Sequence, residues 1–94
     1  MSELIDAIPD TWERRGDAIY RIYRFDDFRT AFGFMERAAR AIDRHDHHPD
    51  WRNRFGRVEI MLTTHEVGTV TDRDVRLARD LDRLADETKG PSEW

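Results

Sequence analysis

Histidine and aspartate are concentrated in one short segment of this 94-residue chain. The segment HDHHPDW, residues 45–51, contains three of the four histidines together with two aspartates and a proline. Imidazole gains and loses protons near neutral pH because its unperturbed pKa is about 6.5, and neighbouring carboxylates can fix its tautomer. If the remaining histidine, His65, reaches the same pocket, the set could protonate a leaving group and accept a proton elsewhere. The pattern therefore predicts general acid–base chemistry.

Two other interpretations of the same histidines are open at this point. A histidine near the C-terminus of a helix is stabilised by the helix dipole and needs no further role. A zinc site is the third interpretation, because His45, His47 and His48 with the distant His65 offer imidazole ligands. Their spacing matches no standard zinc signature, and the chain has no cysteine to supply a thiolate. We therefore expect no metal.

The composition limits the classes of protein to which the chain can belong. Its length predicts one domain over residues 1–94, with loose N-terminal and C-terminal segments of about eight and about seven residues. Sixteen basic against twenty acidic residues give a net charge of −4, which disfavours a dedicated nucleic-acid-binding protein. No apolar run approaches the length of about 20 residues that a membrane span needs, and the acidic N-terminus lacks a signal-peptide pattern. We expect a cytoplasmic protein that binds neither nucleic acid nor membrane.

The N-terminal part of the chain predicts a short helical turn followed by a β-hairpin. Residues 2–8 are compatible with a helical turn that is capped by Ser2 and ended by Pro9. In residues 11–25, TWERRGDAIYRIYRF, the pair Gly16-Asp17 supplies the turn between two strands. β-branched and aromatic side chains follow this turn, as is typical of a strand.

Residues 27–45 predict an amphipathic helix that leads directly into the histidine segment. Its apolar residues fall at helical spacing, in a stripe of Phe28, Phe32, Met35, Ala39 and Ile42. The apolar surface is widened by Phe34, Ala38 and Ala41. Asp26 or Asp27 is a natural N-cap, and Pro49 prevents the helix from continuing beyond residues 45–47. The helix could therefore contact a sheet on one side and a partner subunit on the other.

A second hairpin and a final helix complete the chain. Residues 51–62 alternate between apolar and polar side chains on either side of a turn at Gly56, and the second strand runs into Thr63-Thr64-His65. The final helix begins after Thr71 as N-cap, with Asp74 three residues later in a variant of the capping box. Its apolar stripe consists of Leu77, Leu81 and Leu84.

The order of elements is hairpin, helix, hairpin, helix. Strands that arrive in antiparallel pairs favour an α+β fold, a four-stranded antiparallel sheet with helices packed on one face. A domain of this size buries a modest core, and the first helix has a wide apolar surface. Together they predict a homodimer or a homotetramer.

The spacing of the histidines and their neighbours resembles the pterin-4a-carbinolamine dehydratase family. The family pattern has an acidic residue, three further positions, His-His-Pro, a strand, a Ser/Thr-Thr-His-Glu stretch and a later Asp. Here it reads Asp43, His47-His48-Pro49, Thr63-Thr64-His65-Glu66 and Asp74, in the runs DRHDHHPDW, FGRVEIMLTTHE and TDRDVRLA. The run DAIYRIYRFDDFRTAFGFM also resembles the family's strand and helix start. The resemblance covers residues 12–85, and the family's fold agrees with the one predicted above.

The resemblance implies a dehydratase that acts in tetrahydrobiopterin or other pterin recycling. The substrate would be a 4a-hydroxytetrahydropterin, which pterin-dependent aromatic amino acid hydroxylases produce. The products would be the quinonoid dihydropterin and water. His47 and His65 would transfer protons, including the one taken up by the departing hydroxyl, and His48 would bind and orient the substrate. This chemistry requires neither a metal nor another cofactor.

The resemblance also implies a set of residues that bind the substrate. Asp43 and Asp46 would contact the pterin or its histidines, and Asp43 stands where the family often has glutamate. Thr63 and Thr64 would line the pocket beside the pterin ring. Asp74 would lie at the pocket edge, although helix capping alone would also explain it and the two roles are compatible.

Trp12 is the last residue that the resemblance assigns to substrate binding. It resembles the family's N-terminal pocket tryptophan, but its spacing to the following strand is shorter. The alternative is a tryptophan of the first hairpin that covers the edge of the sheet.

A non-catalytic function is the main alternative to the enzyme. Some members of the family also act as transcriptional coactivators that bind a partner through an exposed helix, and some relatives resemble assembly factors. The wide apolar surface of the helix at residues 27–45 is compatible with such a protein partner. Repurposed relatives tend to lose histidines, whereas this chain keeps all three that the resemblance assigns, which favours the enzyme.

Overall fold

The computed structural model describes residues 7–89 of the chain. Its elements are β1 (Glu13–Arg15), β2 (Ala18–Arg24), α1 (Phe28–His45), β3 (Asp50–Arg54), β4 (Arg57–Leu62) and α2 (Asp72–Lys89). This order confirms the predicted α+β fold. The helical turn predicted for residues 2–8 lies mostly outside the described residues.

The four strands form one antiparallel sheet in the order β1-β2-β4-β3. Ile19 pairs with Leu62 and Tyr23 pairs with Val58, so the large apolar side chains of the two central strands share one face. This face is buried beneath the helices, and the Tyr23 ring lies 4.8 Å from that of Phe34 in α1. The residues that alternate with them lie on the opposite face, which neither helix covers and which we call the open face.

Helix α1 packs on the sheet with a different stripe from the predicted one. Its buried residues are Ala31, Phe34, Ala38, Ala41 and Ile42. Within the predicted stripe, only Ile42 is buried and Met35 is half-buried, whereas Ala39 is exposed and Phe28 and Phe32 are each 48% exposed. The predicted stripe was therefore wrong as the packing face, whereas Phe34, Ala38 and Ala41, which were predicted to widen the apolar surface, are buried. The alanines on this side allow a close approach of the helix to its neighbours.

Both ends of α1 are defined by aspartates. At the start, Asp27 is the N-cap, and its Oδ1 accepts a hydrogen bond from the Thr30 backbone N–H at 2.8 Å. At the end, Asp46 adopts the left-handed conformation with φ 50°, and its N–H bonds to carbonyls of the last helical turn. The helix therefore ends before Pro49, as predicted, and the chain turns sharply just before His47.

Helix α2 covers the remaining part of the core. Its predicted stripe of Leu77, Leu81 and Leu84 is buried. The helix continues through Lys89, two residues into the segment that was predicted to be loose, and the Thr88 hydroxyl donates to the Leu84 carbonyl at 2.8 Å. Within residues 7–89, neither helix is long and apolar enough to cross a membrane.

A carboxylate in the middle of α2 connects the N-terminal segment to the sheet. Asp82 accepts hydrogen bonds from Thr11 Oγ1 at 2.5 Å, Trp12 Nε1 at 2.9 Å and the Tyr23 hydroxyl at 2.5 Å. The Arg21 guanidinium forms an ion pair with the same carboxylate at 2.5 Å. Because these donors come from the N-terminal segment and β2, Asp82 fixes the position of α2 relative to both.

The hydrogen bond between Tyr23 and Asp82 predicts a stability change at alkaline pH. Burial, and then the Asp82 carboxylate, raise the pKa of Tyr23 well above its usual value. A raised pKa in the folded state contributes stability that is complete below the unfolded pKa of about 10 and is lost as the pH rises further. Tyr23→Phe should lower the free energy of unfolding by about 1–2 kcal/mol at neutral pH. Above pH 10 the wild type itself loses stability, so the difference between the two proteins should become smaller. Urea unfolding across this range measures both effects, and parallel pH profiles would contradict them.

Candidate active site

A buried polar contact joins two of the predicted site residues, His47 and Asp74. The distance between His47 Nε2 and Asp74 Oδ1 is 2.5 Å. Asp74 is completely buried and His47 is 5% exposed. With Asp74 as a carboxylate, which can only accept hydrogen bonds, the contact is assigned as a hydrogen bond donated by the Nε2–H group of His47. The remaining ring nitrogen, Nδ1, is then the one that can exchange protons with a substrate.

The second oxygen of Asp74 is held by two threonines. Asp74 Oδ2 accepts from Thr64 Oγ1 at 2.7 Å and from the Thr71 backbone N–H at 2.9 Å. Since the Thr64 hydrogen points to Asp74, the 2.7 Å contact between the two threonine hydroxyls is a bond donated by Thr71. The bond from the Thr71 N–H is one half of the predicted capping box, so Asp74 caps α2 and contacts His47 at the same time.

Three segments that are distant in sequence meet at Asp74. His47 follows α1, Thr64 follows β4, and Asp74 lies in the first turn of α2. The left-handed turn at Asp46 directs His47 inward. The Asp46 carbonyl accepts a hydrogen bond from the Arg73 guanidinium at 3.1 Å. The site is therefore assembled from the ends of three elements, with the carboxylate at their junction.

The other two predicted catalytic histidines lie next to this network and are exposed. His48 directly follows His47, and His65 directly follows Thr64. His65 belongs to a turn in which the backbone N–H groups of Val67 and Gly68 both bond to the Thr64 carbonyl. His47 therefore contacts Asp74 directly, whereas His48 and His65 each directly follow a residue that does. His47 is inaccessible except at its edge, whereas His48 and His65 face solvent.

The predicted substrate-binding residues are divided between the site and other parts of the fold. Asp43 and Asp46 are exposed at the end of α1, one turn or less from His47. Thr63 is half-buried, and its hydroxyl donates to the Asp17 carbonyl in the first hairpin at 2.6 Å. Trp12 is not brought to this site, because its ring is buried in the core and its Nε1 donates to Asp82.

His45, the remaining histidine of the segment, makes a separate contact. It is half-buried, and its Nε2 lies 3.1 Å from Asp80 Oδ2. Partial burial opposes ionisation of Asp80, but hydrogen bonds from Arg83, His45 and Arg44 outweigh it and keep the pKa of Asp80 below its usual value. His45 therefore contributes to the contact between the two helices and lies outside the network around Asp74.

Two features of the site bear on its chemistry. Among residues 7–89, no group of three or more histidine, cysteine, aspartate or glutamate side chains is arranged to hold a metal ion. In the same range no buried side-chain nitrogen or oxygen lacks a hydrogen-bond partner. Nδ1 of His47 has no hydrogen-bond partner among these residues, and the residue is 5% exposed, so this nitrogen is the one available to a ligand. The arrangement can present a fixed imidazole nitrogen to a ligand, with two further imidazoles at the rim.

Arg73 was missed by the sequence reasoning. Besides its bond to the Asp46 carbonyl, its guanidinium lies 3.8 Å from the carboxylate of Glu66 in the turn that carries His65. Arg73 therefore connects the residue before His47 with the residue after His65. Its position two residues after the helix cap carried no signal of this role, because the contact depends on how the loops pack.

Comparisons with known proteins identify the family of the chain. The chain matches the family described as pterin 4 alpha carbinolamine dehydratase over residues 1–84. A relative from Thermomicrobium roseum, provisionally assigned as a pterin-4-alpha-carbinolamine dehydratase, is 47% identical over 85 residues, 90% of each chain. A relative from Bradyrhizobium diazoefficiens with the same provisional assignment is 46% identical over 94% of this chain and 89% of its own.

Two solved structures share the fold. A crystal structure of a transcriptional coactivator/pterin dehydratase from Brucella melitensis superimposes with a TM-score of 0.81 at 41% identity, over 90% of this chain and 92% of its own. A pterin dehydratase-like RuBisCO assembly factor of the alpha-carboxysome gives 0.70 at 18% identity, over 80% and 89%. The second likeness concerns the fold alone. The match over most of the chain, together with the close relatives, shows that this protein belongs to the pterin-4a-carbinolamine dehydratase family.

Proposed function

We propose that this protein catalyses the dehydration of a 4a-hydroxytetrahydropterin to the quinonoid dihydropterin in pterin recycling. The observation that carries the proposal is the buried pair of His47 and Asp74, flanked by the exposed imidazoles of His48 and His65. Membership of the family supplies the substrate class. A relative repurposed for a purely structural role would have no need to keep a buried imidazole that is oriented by a carboxylate beside two exposed imidazoles.

The reaction requires two proton transfers and no redox step. The C4a–O bond breaks and the hydroxyl leaves as water after it has taken up a proton. The lone pair on N5 forms the new C4a=N5 double bond, and N5 gives up its own proton. A positioned acid, a positioned base and a flat polar slot are sufficient for this chemistry, and such groups typically contribute about 10²–10⁴-fold in rate.

Within this proposal, His47 and His65 are the residues that transfer protons. His47 acts through Nδ1, since Nε2 is engaged by Asp74. His65 approaches from the turn after β4, and its exposure allows it to contact a ligand directly. His48, next to His47, binds and orients the substrate.

The remaining predicted residues take different parts in the proposal. Asp43, Asp46 and Thr63 remain candidates for contacting the pterin, because they are exposed or half-buried near the histidines. Thr64 and Asp74 are buried, so they act indirectly. Thr64 holds the Asp74 carboxylate, and Asp74 holds the His47 ring. Asp74 is thus a positioning residue rather than a substrate ligand. We leave Trp12 out of the pocket, because its ring and Nε1 are both used in the core.

His47→Ala should abolish most of the rate acceleration. The dehydration of freshly generated 4a-hydroxytetrahydropterin can be followed by absorbance, and we expect the enzymatic rate to fall by about 10²–10⁴-fold. His65→Ala should also lower the rate. His45→Ala is the matched control, because that histidine contacts Asp80 outside the site, and it should keep wild-type activity. Full activity in both His47→Ala and His65→Ala would sink the assignment.

Asp74→Asn tests whether the carboxylate acts through His47. The amide preserves the shape but cannot accept on both of its atoms, so the network must lose at least one hydrogen bond, which costs about 1–3 kcal/mol of folding stability. At a temperature where the variant is folded, kcat should fall at least tenfold with little change in KM, because Asp74 does not touch the substrate. A raised KM with an unchanged kcat would instead show direct substrate contact.

A homodimer or homotetramer that is formed through α1 is the second part of the proposal. Phe28 and Phe32 are each 48% exposed, with ring centroids 5.8 Å apart on the surface of that helix. A pair of exposed phenyl rings favours contact with another protein surface. The same face could serve a different protein partner, which is the alternative to an enzyme acting alone.

The double substitution Phe28→Ser and Phe32→Ser tests this interface. Light scattering at micromolar concentration should show a smaller assembly for the variant than for the wild type, because the apolar contact is removed. Val67→Ser removes another exposed apolar side chain, 64% exposed, and should leave the mass unchanged. A wild-type protein that is monomeric under these conditions would contradict the prediction.

A further inference from the structure

Three arginines form a row across the open face of the sheet. Arg57 at the start of β4 pairs with Arg24 of β2 on one side and with Arg54 of β3 on the other. Residues that pair directly across strands point to the same face. Neighbouring strands lie about 4.8 Å apart, so the row spans about 10 Å. Three guanidinium groups are therefore concentrated at one end of the open face.

This row has little compensating negative charge. Among residues 7–89, Arg24 and Arg54 make no ion pair or side-chain hydrogen bond, whereas Arg57 lies 3.5 Å from Glu59. That carboxylate is shared with Arg52 at 3.1 Å. Like charges directly opposite one another destabilise a sheet. The row therefore opposes folding, and an anion bound between the guanidinium groups would relieve the repulsion.

A phenyl ring lies beside the row in an unfavourable conformation. Phe55, in the turn between Arg54 and Gly56, is 71% exposed and has a φ of 55°. A non-glycine residue in this region is strained by about 1–2 kcal/mol. The adjacent Gly56 is needed for space, because a Cβ there would lie 2.3 Å from the Phe25 carbonyl oxygen. The ring is not part of the hydrophobic core of the described residues, so it is available for contact with a ligand.

The arginine row is separate from the histidine site. It lies at the end of the sheet where β4 begins, next to the start of α1. The histidines lie where β4 and α1 end. Helix α1 has 18 residues, which corresponds to a length of about 27 Å. A ligand of moderate size at one site would not touch the other.

We propose that the recess lined by Arg24, Phe25, Arg54, Phe55, Gly56 and Arg57 binds a free nucleoside phosphate. The guanidinium groups hold the phosphate, since they match its geometry and charge. Phe55 stacks against the base.

The distribution of charge favours a small anion over a nucleic acid. Beyond the row, the open face carries three carboxylates, of Glu59, Asp50 and Glu13, and two arginines. Both arginines are paired there, Arg52 with Glu59 and Arg15 with Glu13. The continuing backbone of a polynucleotide would therefore meet no further unpaired arginine on the described part of this face, and the whole chain has a net charge of −4. A ligand with one or two phosphates fits within the basic end.

Titration with adenosine 5′-monophosphate tests the proposal directly. Amide and arginine side-chain resonances of the full chain should shift saturably at residues of the row, with tighter binding for the nucleotide than for inorganic phosphate or adenosine. Arg24→Gln and Arg54→Gln should each weaken nucleotide binding about tenfold, as expected for loss of a charge-assisted hydrogen bond. Arg40→Gln, an exposed arginine of α1, removes the same charge elsewhere and should leave the affinity unchanged.

Phe55→Gly separates the roles of ring and charge. Glycine relieves the positive φ, so thermal stability should stay the same or rise, while nucleotide affinity falls and phosphate affinity does not. His47→Ala should bind the nucleotide normally, so this proposal can fail or succeed independently of the dehydratase.

Four results would each overturn the proposal. The first is the absence of saturable shifts at the row. The second is a loss of nucleotide affinity in Arg40→Gln that equals the loss in Arg24→Gln or Arg54→Gln. The third is tighter binding of a ten-residue oligonucleotide than of the mononucleotide. The fourth is a change in assembly mass, without a change in nucleotide affinity, when the three arginines are replaced together. That result would make the row a contact between copies of the chain.

Discussion

The orientation of His47 in the candidate site depends on one buried carboxylate. Asp74 has no solvent exposure, and it accepts hydrogen bonds from His47, Thr64 and the backbone of Thr71. A buried carboxylate without partners would cost several kcal/mol. The three segments that provide these donors must therefore be in place together for the fold to be stable. The same requirement fixes the orientation of the His47 ring, so folding and organisation of the site are coupled.

Local sequence signals were sufficient to predict the elements and their order. Gly16 and Gly56 mark the hairpin turns, while Asp27 and Pro49 bound α1, because each acts through backbone chemistry within a few residues. The packing face of α1 was not predictable in the same way. Two adjacent stripes are both apolar, and the choice between the one with Phe28 and the one with alanines depends on how closely the helix approaches its neighbours. That distance is a property of the whole fold.

The candidate site shows the same division. Residue types and spacing singled out the histidines as candidates, and the family resemblance added Asp74. Neither showed that Asp74 contacts His47 and is buried. Trp12 illustrates the limit most clearly. Its partner Asp82 is 70 residues away in the sequence, and no pattern in residues 11–25 distinguishes a tryptophan that binds a ligand from one that donates to a distant helix. Contacts of this kind depend on tertiary packing and are not encoded in a local motif.

Two aspartates of α2, Asp74 and Asp82, together explain how a small domain can hold an imidazole in place. Asp82 connects α2 to β2 and the N-terminal segment, and Asp74 connects it to the ends of α1 and β4. They are eight residues apart, about 12 Å along the helix. Contacts at two such points, with buried leucines between them, prevent the helix from rotating or sliding on the sheet. Because Asp74 cannot move relative to the sheet, neither can the His47 ring. A fixed ring is what the proposed proton transfer through Nδ1 would require.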